Sequence, residues 1–545
     1  MEFPVVLLVL YGCLVLCVQA VEPFDYRDVS FSGQLTDDCE QSVVGGGWSG
    51  LYFAYRLATS NLKRAKSLCV FEGTNRLGGR TYSVRIEGTE FTLDVGAYRF
   101  APDMHLPGDL ILDELGIPTE CYEPGCPSPK VDFPAPFSFN YSEPLRRIVD
   151  PASKLPGGYE TALRKLAQRL KRLGAKIFLE TKLTDIEVRD FPQSSRLTFS
   201  GPNGQSVAES KLVLLNLPRQ HMFSLPSVPT TMDKRVADML KCVAFDLPES
   251  LFPNATNIQD GGTLTKAYVY YKDAWWVTKL RKTQGNFPVS GFQPLATSYG
   301  IYFLIHWGDG PTSCRAEGGA EASECHGFLE VYYSVSNETF FSSIPADLTD
   351  PLGTLDRSDG SPSTAAALDT MHAALTEAVG PFLREAGVSA NDLPSPEMIV
   401  VGVWRRPDKS RPIGEGLWYT SPTKVYWSPE VSGSPADACG VPGMTEEEYR
   451  ATLLQPWGLD AAVFLANNDY YIQDVRYIFG DWAEDSLLQA ERALRRIGVG
   501  RPEWLNATYY QEKVAGMDTD AASPVSMRGA AFPLGRKMGH GLAFS

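Results

Sequence analysis

Three glycines at G-x-G-x-x-G spacing, Gly45, Gly47 and Gly50, stand in the stretch SVVGGGWSGLYFAYRL, residues 42–57. An apolar pair enters this loop and a helical pattern leaves it, with Trp48 and Ser49 in the opening turn. Glycine permits the tight turn and removes side chains that would bar a pyrophosphate. The helix then offers the anion unpaired N–H groups and its positive dipole end. The run SLCVFE ends at Glu72, where a carboxylate can accept hydrogen bonds from a ribose. An acid there disfavours a 2′-phosphate, so NADP is the least expected nucleotide. Next comes FEGTNRLGGRTYS, in which Gly78 and Gly79 separate Arg76 from Arg80 and let both guanidinium groups approach a pyrophosphate closely.

These residues need a strand–turn–helix–strand unit to position them. The pattern predicts a strand over 42–46, a helix over 49–58 and a second strand ending at Glu72. A further segment of the same domain is expected over 156–218, an amphipathic helix and strand, then a polar hairpin around Pro202-Asn203-Gly204, then the buried strand KLVLLNLP. The last helix, WAEDSLLQAERALRRIG, has acids early and arginines late, as the helix dipole favours. Residues 224–460 are rich in aromatics and proline, and 308–326 and DRSDGSPSTAAA read as loops or insertions. Beyond about residue 500 periodicity fades and a poorly ordered polar tail is expected.

The chain has 545 residues and a net charge of −15 with no lysine- or arginine-rich run, which argues against nucleic acid or an anionic membrane surface as partner. Residues 1–20 read as a secretory signal ending in Val18-Gln19-Ala20, with an uncleaved anchor as the alternative, and no other segment is long and apolar enough to span a bilayer. Sequons at Asn140, Asn254, Asn337 and Asn506 agree with export. Of ten cysteines, eight follow the signal; Cys121 with Cys126 and Cys314 with Cys325 are plausible local bridges, whereas Cys69, inside an apolar strand, reads as a buried thiol. The six histidines, His105 and His306 among them, lack metal spacing, so no metal is expected.

The string FEGTNRLGGRTYS resembles the E-x-x-x-R-x-G-G-R-x-x-S signature of the flavin amine oxidase family at every fixed position. The resemblance implies an α/β chain, α+β overall. A Rossmann-type FAD-binding domain would be built from 39–100, 156–222 and 460–500, and a substrate-binding domain of mixed sheet and helices from 101–155 and 223–459. The tail would be 501–545. It implies FAD, held non-covalently because no cysteine lies in the closing motif. FTLDVGAYRF looks like the family's glycine turn along the flavin, here Gly96, Ala97 and Tyr98. Leu183 would face the adenine, and Lys266, in GGTLTKAYVYYKDAWW, occupies the place of a lysine linked through water to flavin N5. FGDWAEDSLLQAERAL resembles the closing motif, bringing Asp481, Trp482 and Ser486 to the flavin. The chain departs from the family where FLANNDYY replaces F-x-G-E, and where Asp481 stands for the usual glycine.

Arg99 in GAYRF matches the position where L-amino-acid oxidases pair an arginine with the substrate carboxylate; a structural salt bridge to an acid such as Asp103 is the alternative. The implied reaction is hydride transfer from Cα–H of a neutral amine to flavin N5, hydrolysis to keto acid and ammonia, and reoxidation by dioxygen with release of hydrogen peroxide. Trp404, Trp418 and Tyr419 could line the substrate site. A primary-amine or polyamine oxidase and a non-catalytic secreted flavoprotein remain open, as does a homodimer.

Overall fold

The computed structural model describes residues 21–516, apart from 36–38, 88, 90, 123–125, 127–142, 153, 190–193, 239–263, 282–284, 287–294, 297–301, 308–324, 333–338, 345–349, 405–424, 428–445, 459, 469–471 and 475–482. The leader at 1–20, the sequons Asn140, Asn254 and Asn337, Cys314, Trp418, Tyr419, Asp469, Asp481, Trp482 and the tail from 517 lie outside the described residues.

The glycine motif sits in a parallel sheet. Strand β1 (Gln41–Val44) leads into helix α1 (Trp48–Ser60) and back to β2 (Leu68–Phe71). Helix α2 (Glu160–Leu173), β3 (Lys176–Phe178) and β4 (Leu212–Leu215) follow. Their order is β4-β1-β2-β3, all parallel. QSVV, LCVF and LVLL are buried at every position, which is why they read as short continuous runs instead of alternating ones. Helix α2 buries Ala162, Leu163, Leu166, Ala167 and Leu170 and stops at Gly174, whose φ of 96° is the left-handed cap a glycine adopts without strain.

A second, antiparallel sheet is built around β5 (Leu264–Tyr271), flanked by β6 (Gly327–Tyr332) and β7 (Met398–Trp404). Strands 302–307 and 352–356 extend it on either side. Its one face packs on helix 362–378; its other face meets the hairpin 83–94 through Tyr82, Val84, Tyr268, Val400 and Trp404. The chain then returns to the parallel sheet, where β8 (Val463–Leu465) pairs with β4 and completes the order β8-β4-β1-β2-β3. Helix α3 (Ala483–Arg496) follows and lies along α1. Leu51 to Ala58 of α1 are buried all round, so Arg56 needs a partner inside; Glu491 of α3 supplies it, 2.6 Å away. Removing one member of such a buried pair costs about 3–5 kcal/mol.

Several expectations are corrected. Cys69 is not a thiol: it is bonded to Cys39, which lies just before β1 and is brought within 5.5 Å (Cα–Cα) by the parallel pairing of β1 and β2. The tail does not begin at 501: residues 501–516 fold back, and Leu505, Tyr509, Tyr510 and Val514 join the core around α1 and α3. DRSDGSPSTAAA is not a loop throughout, because Ser361 caps a helix that starts at Pro362, its side chain accepting from the Thr364 N–H. The Cys121–Cys126 bridge is present, and Cys325 is bonded to a partner outside the described residues. The stretch 104–117, assigned above to the second domain, packs with α1 through Leu106, Leu110, Ile111 and Leu115.

Candidate functional site

Gly45 leaves β1 with φ of 98°, and a Cβ there would stand 2.3 Å from the Asn216 carbonyl. At Gly50 a Cβ would stand 2.0 Å from the Gly45 carbonyl, so the first turn of α1 closes directly on the loop. Gly47 caps α1 with no side-chain hydrogen bond, and no acid stands in the first turn. The helix opening therefore keeps its N–H groups for an external anion. Trp48 and Ser49 spend their side chains elsewhere: Trp48 Nε1 donates to Thr81 Oγ1 at 2.8 Å, and Ser49 Oγ to the Ser486 carbonyl at 2.7 Å. That last bond joins the openings of α1 and α3, 437 residues apart in sequence.

Glu72 directly follows β2 and turns its carboxylate to the loop, accepting from the Gly46 N–H at 2.9 Å and from Thr74. Asn216, after β4, donates through Nδ2 to the Gly45 carbonyl at 3.2 Å. Arg76 and Arg80 part company. Arg76 is buried, lies 3.8 Å over the Tyr82 ring, and donates to the carbonyls of Leu77, Gly79 and Thr81. It braces the turn of Gly78 and Gly79 from within instead of reaching outward. Arg80 reaches across to Asn468 Oδ1, while Asn467 donates to the Leu217 carbonyl at 2.8 Å. The residues that depart from the family pattern thus tie β8 and β4 to the arginine turn.

From Arg80 the site continues to the second sheet. Ala97 N–H donates to the Arg80 carbonyl at 3.0 Å, and at Gly96 a Cβ would stand 2.2 Å from that carbonyl and 3.0 Å from Trp404. Trp404 Nε1 holds the Val95 carbonyl at 2.8 Å. Tyr98 is buried, with Lys266 Nζ 3.3 Å from its ring centroid and the Arg99 guanidinium 4.8 Å from it. Arg99 is half-buried and also faces the Tyr122 ring at 4.9 Å. Lys266, buried on β5, forms an ion pair with Glu330 of β6 at 3.2 Å. Burial drags its ammonium down to about 8, against the pull of Glu330 and Asp94, which raise it, while Arg99 adds to the lowering.

Leu183 lies in a cluster with Val44, Phe71, Phe178 and Phe199 beside the end of β2. His105 lies against Tyr509 and Asp109, and His306 stands on the strand 302–307. Ser486 lies in the first turns of α3. Sequence reasoning missed Asn216, Tyr122 and Glu330. Signals existed for two of them: a polar residue closing LVLL, and an acid inside the apolar strand GFLEVY.

The close approach of Gly47 and Gly79, the unspent N–H groups of α1 and the carboxylate just past β2 fit a dinucleotide such as FAD. The parallel sheet with its glycine loop forms a Rossmann-like unit, and residues 43–107 match the family model of the NAD(P)-binding Rossmann-like domain. The chain resembles the flavin amine oxidases through its arginine–glycine signature, Glu72 to Ser83. It is 32% identical over 106 residues to Aplysianin-A of Aplysia kurodai, a match that spans 18% of this chain and 18% of that protein. Two solved structures of putrescine oxidase redesigned at cofactor binding, a triple and a double mutant, are each 14% identical to it. They superpose with TM-scores of 0.46 and 0.45, covering 84% of this chain and 99% and 98% of their own.

Proposed function

We propose that this chain is a secreted, FAD-dependent oxidase that deaminates an L-amino acid to a keto acid, ammonia and hydrogen peroxide. One observation carries the reading. A half-buried arginine and a buried lysine meet on the Tyr98 ring, on the turn whose backbone is bonded to the arginine–glycine loop. Bound FAD supplies a two-electron acceptor that dioxygen regenerates.

The chain's own residues do the rest. Gly45, Gly47 and the N–H groups opening α1 and α3 would receive the pyrophosphate and the pyrimidine end, and Glu72 the ribose. Arg99 would clamp the substrate carboxylate with its planar fork, fixing the Cα–H in one direction, while stacking on Tyr98 and Tyr122 holds the fork in place. Lys266 would hold a polar partner at the same spot. The Cys39–Cys69 and Cys121–Cys126 bonds support an oxidising compartment, and no described helix is long and apolar enough to cross a membrane.

The test is peroxide release by the purified yellow protein, with amino acids set against their decarboxylated amines. Arg99→Ala should lower kcat/KM for the amino acid by about a hundredfold, the worth of a charge-assisted bidentate pair, and leave amines within a few-fold. Equal losses on both would assign Arg99 to structure and leave a simple amine or polyamine oxidase.

A further inference from the structure

Glu330 is an acid in the middle of an otherwise apolar strand, and its surroundings explain why it is tolerated there. It stands on β6 opposite Tyr268, on the sheet face that also carries Lys266. Its Oε1 lies 3.2 Å from Lys266 Nζ, and its Oε2 accepts from the Tyr122 hydroxyl at 3.1 Å. Lys266 is 3% exposed and Glu330 8% exposed, so neither charge has water to fall back on. Tyr122 follows Cys121 inside the short loop closed by the Cys121–Cys126 bond, and strand 119–121 pairs with 146–148. The loop thus delivers one ring that does two things: its hydroxyl grips Glu330 and its face meets Arg99.

Building on the functional reading above, we propose that Glu330 is a positioning residue: it keeps the Lys266 ammonium charged and seated on Tyr98, and Tyr122 fixes the carboxylate that does so. The groups facing Lys266 are Glu330 from β6, Asp94 from the hairpin, Tyr98 and Arg99 from the glycine turn and Tyr268 on its own strand, while Tyr122 from the disulfide loop holds Glu330. Of these, Glu330 and Asp94 favour the cation; burial and Arg99 oppose it. With the carboxylate in place Lys266 stays charged within its ion pair, beside Arg99 on the Tyr98 ring. Without it, Lys266 would lose its proton nearer neutral pH and its hold on the Tyr98 ring would weaken.

The test uses the full-length, FAD-loaded protein and Glu330→Gln, which keeps the shape and an acceptor for Tyr122 but removes the charge. Lys266 has a folded pKa below its unfolded one, so its proton linkage makes stability rise as pH climbs from about 8 towards 10.5. In denaturant unfolding followed across pH, Glu330→Gln should start that rise about one pH unit or more earlier, as loss of a close opposite charge requires. Lys266→Met should abolish the rise in both backgrounds. Tyr122→Phe, which keeps the ring under Arg99, should move the onset the same way by less, and it serves if the glutamine variant folds poorly. The alkaline limb of kcat/KM for the amino acid should move with the onset. Coincident onsets in wild type and both variants would overturn the proposal, and so would an onset that moves while the limb stays, which would make Glu330 structural only. If wild type oxidises neither amino acids nor amines, the functional reading falls by itself, and the unfolding onsets alone then decide whether Glu330 holds Lys266 charged.

Discussion

Replacing Glu160 by glutamine probes the buried knot that holds the arginine–glycine turn against the parallel sheet. Glu160 opens α2 with no exposed surface; its Oε1 accepts from the Tyr26 hydroxyl at 2.6 Å and its Oε2 from the Ser83 N–H at 2.6 Å. The Ser83 hydroxyl donates in turn to Asp94, whose carboxylate also takes the Tyr159 N–H at 2.9 Å. Burial pushes Glu160 up to about 7, with Arg76 and these hydrogen bonds opposing it, and pushes Asp94 up to about 6 against the pull of Lys266. A folded pKa above the unfolded one means that the folded state holds the proton more tightly. The stability this adds is complete below about pH 4.5, the ordinary carboxyl value, and is lost as pH rises through about 7. A shift from 4.5 to about 7 corresponds to about 3 kcal/mol at 1.36 kcal/mol per pH unit. Glutamine keeps the carbonyl acceptor for Ser83 and cannot ionise. Urea unfolding at a series of pH values should therefore show wild type losing about 2–3 kcal/mol more than Glu160→Gln on going from pH 4.5 to near pH 8. Parallel stability curves for the two proteins would refute the reasoning, because they would mean that Glu160 titrates alike folded and unfolded.

Two further perturbations read the site and the fold separately. Gly50→Ala places a methyl 2.0 Å from the Gly45 carbonyl, so the loop must shift; the purified variant should lose most of its flavin absorbance while far-ultraviolet circular dichroism stays native, and retained stoichiometric FAD would count against the cradle. Cys39→Ser with Cys69→Ser opens a link between residues 30 apart, which chain entropy values at about 3–4 kcal/mol, so the urea midpoint should fall and the m-value should rise, because the unlinked denatured chain is less compact.

The nucleotide half was legible because its chemistry is local. Gly45, Gly47 and Gly50 must occur at fixed offsets after a buried strand, and β1, α1 and β2 appear where those offsets put them. What stayed hidden depended on partners far along the chain. Arg76 carries the same guanidinium as Arg80, yet its Nη1 and Nη2 donate to carbonyls one to five residues away; residue type alone does not say which way a fork points. Cys69 looked like a core thiol because its partner stands outside the motif, and Tyr509, Tyr510 and Val514 looked like tail because the surface they cover belongs to α1 and α3.

Glu330 shows where that boundary falls. Within GFLEVY it breaks an apolar run, and a buried acid requires a cation or several donors nearby; that much follows from composition. Lys266 breaks LTKAYVYY in the same manner. Both are buried interior positions of largely apolar strands, so each advertises a missing partner of opposite sign. What joins them is register: Tyr268 opposite Glu330 puts Lys266 one diagonal step away on the same face. A slip of one residue would turn the acid to the other face and leave two unpaired buried charges, so the pair penalises every odd slip of register. The ion pair that tunes the site is therefore also a constraint on how the second sheet assembles, and substitutions that disturb one should disturb the other.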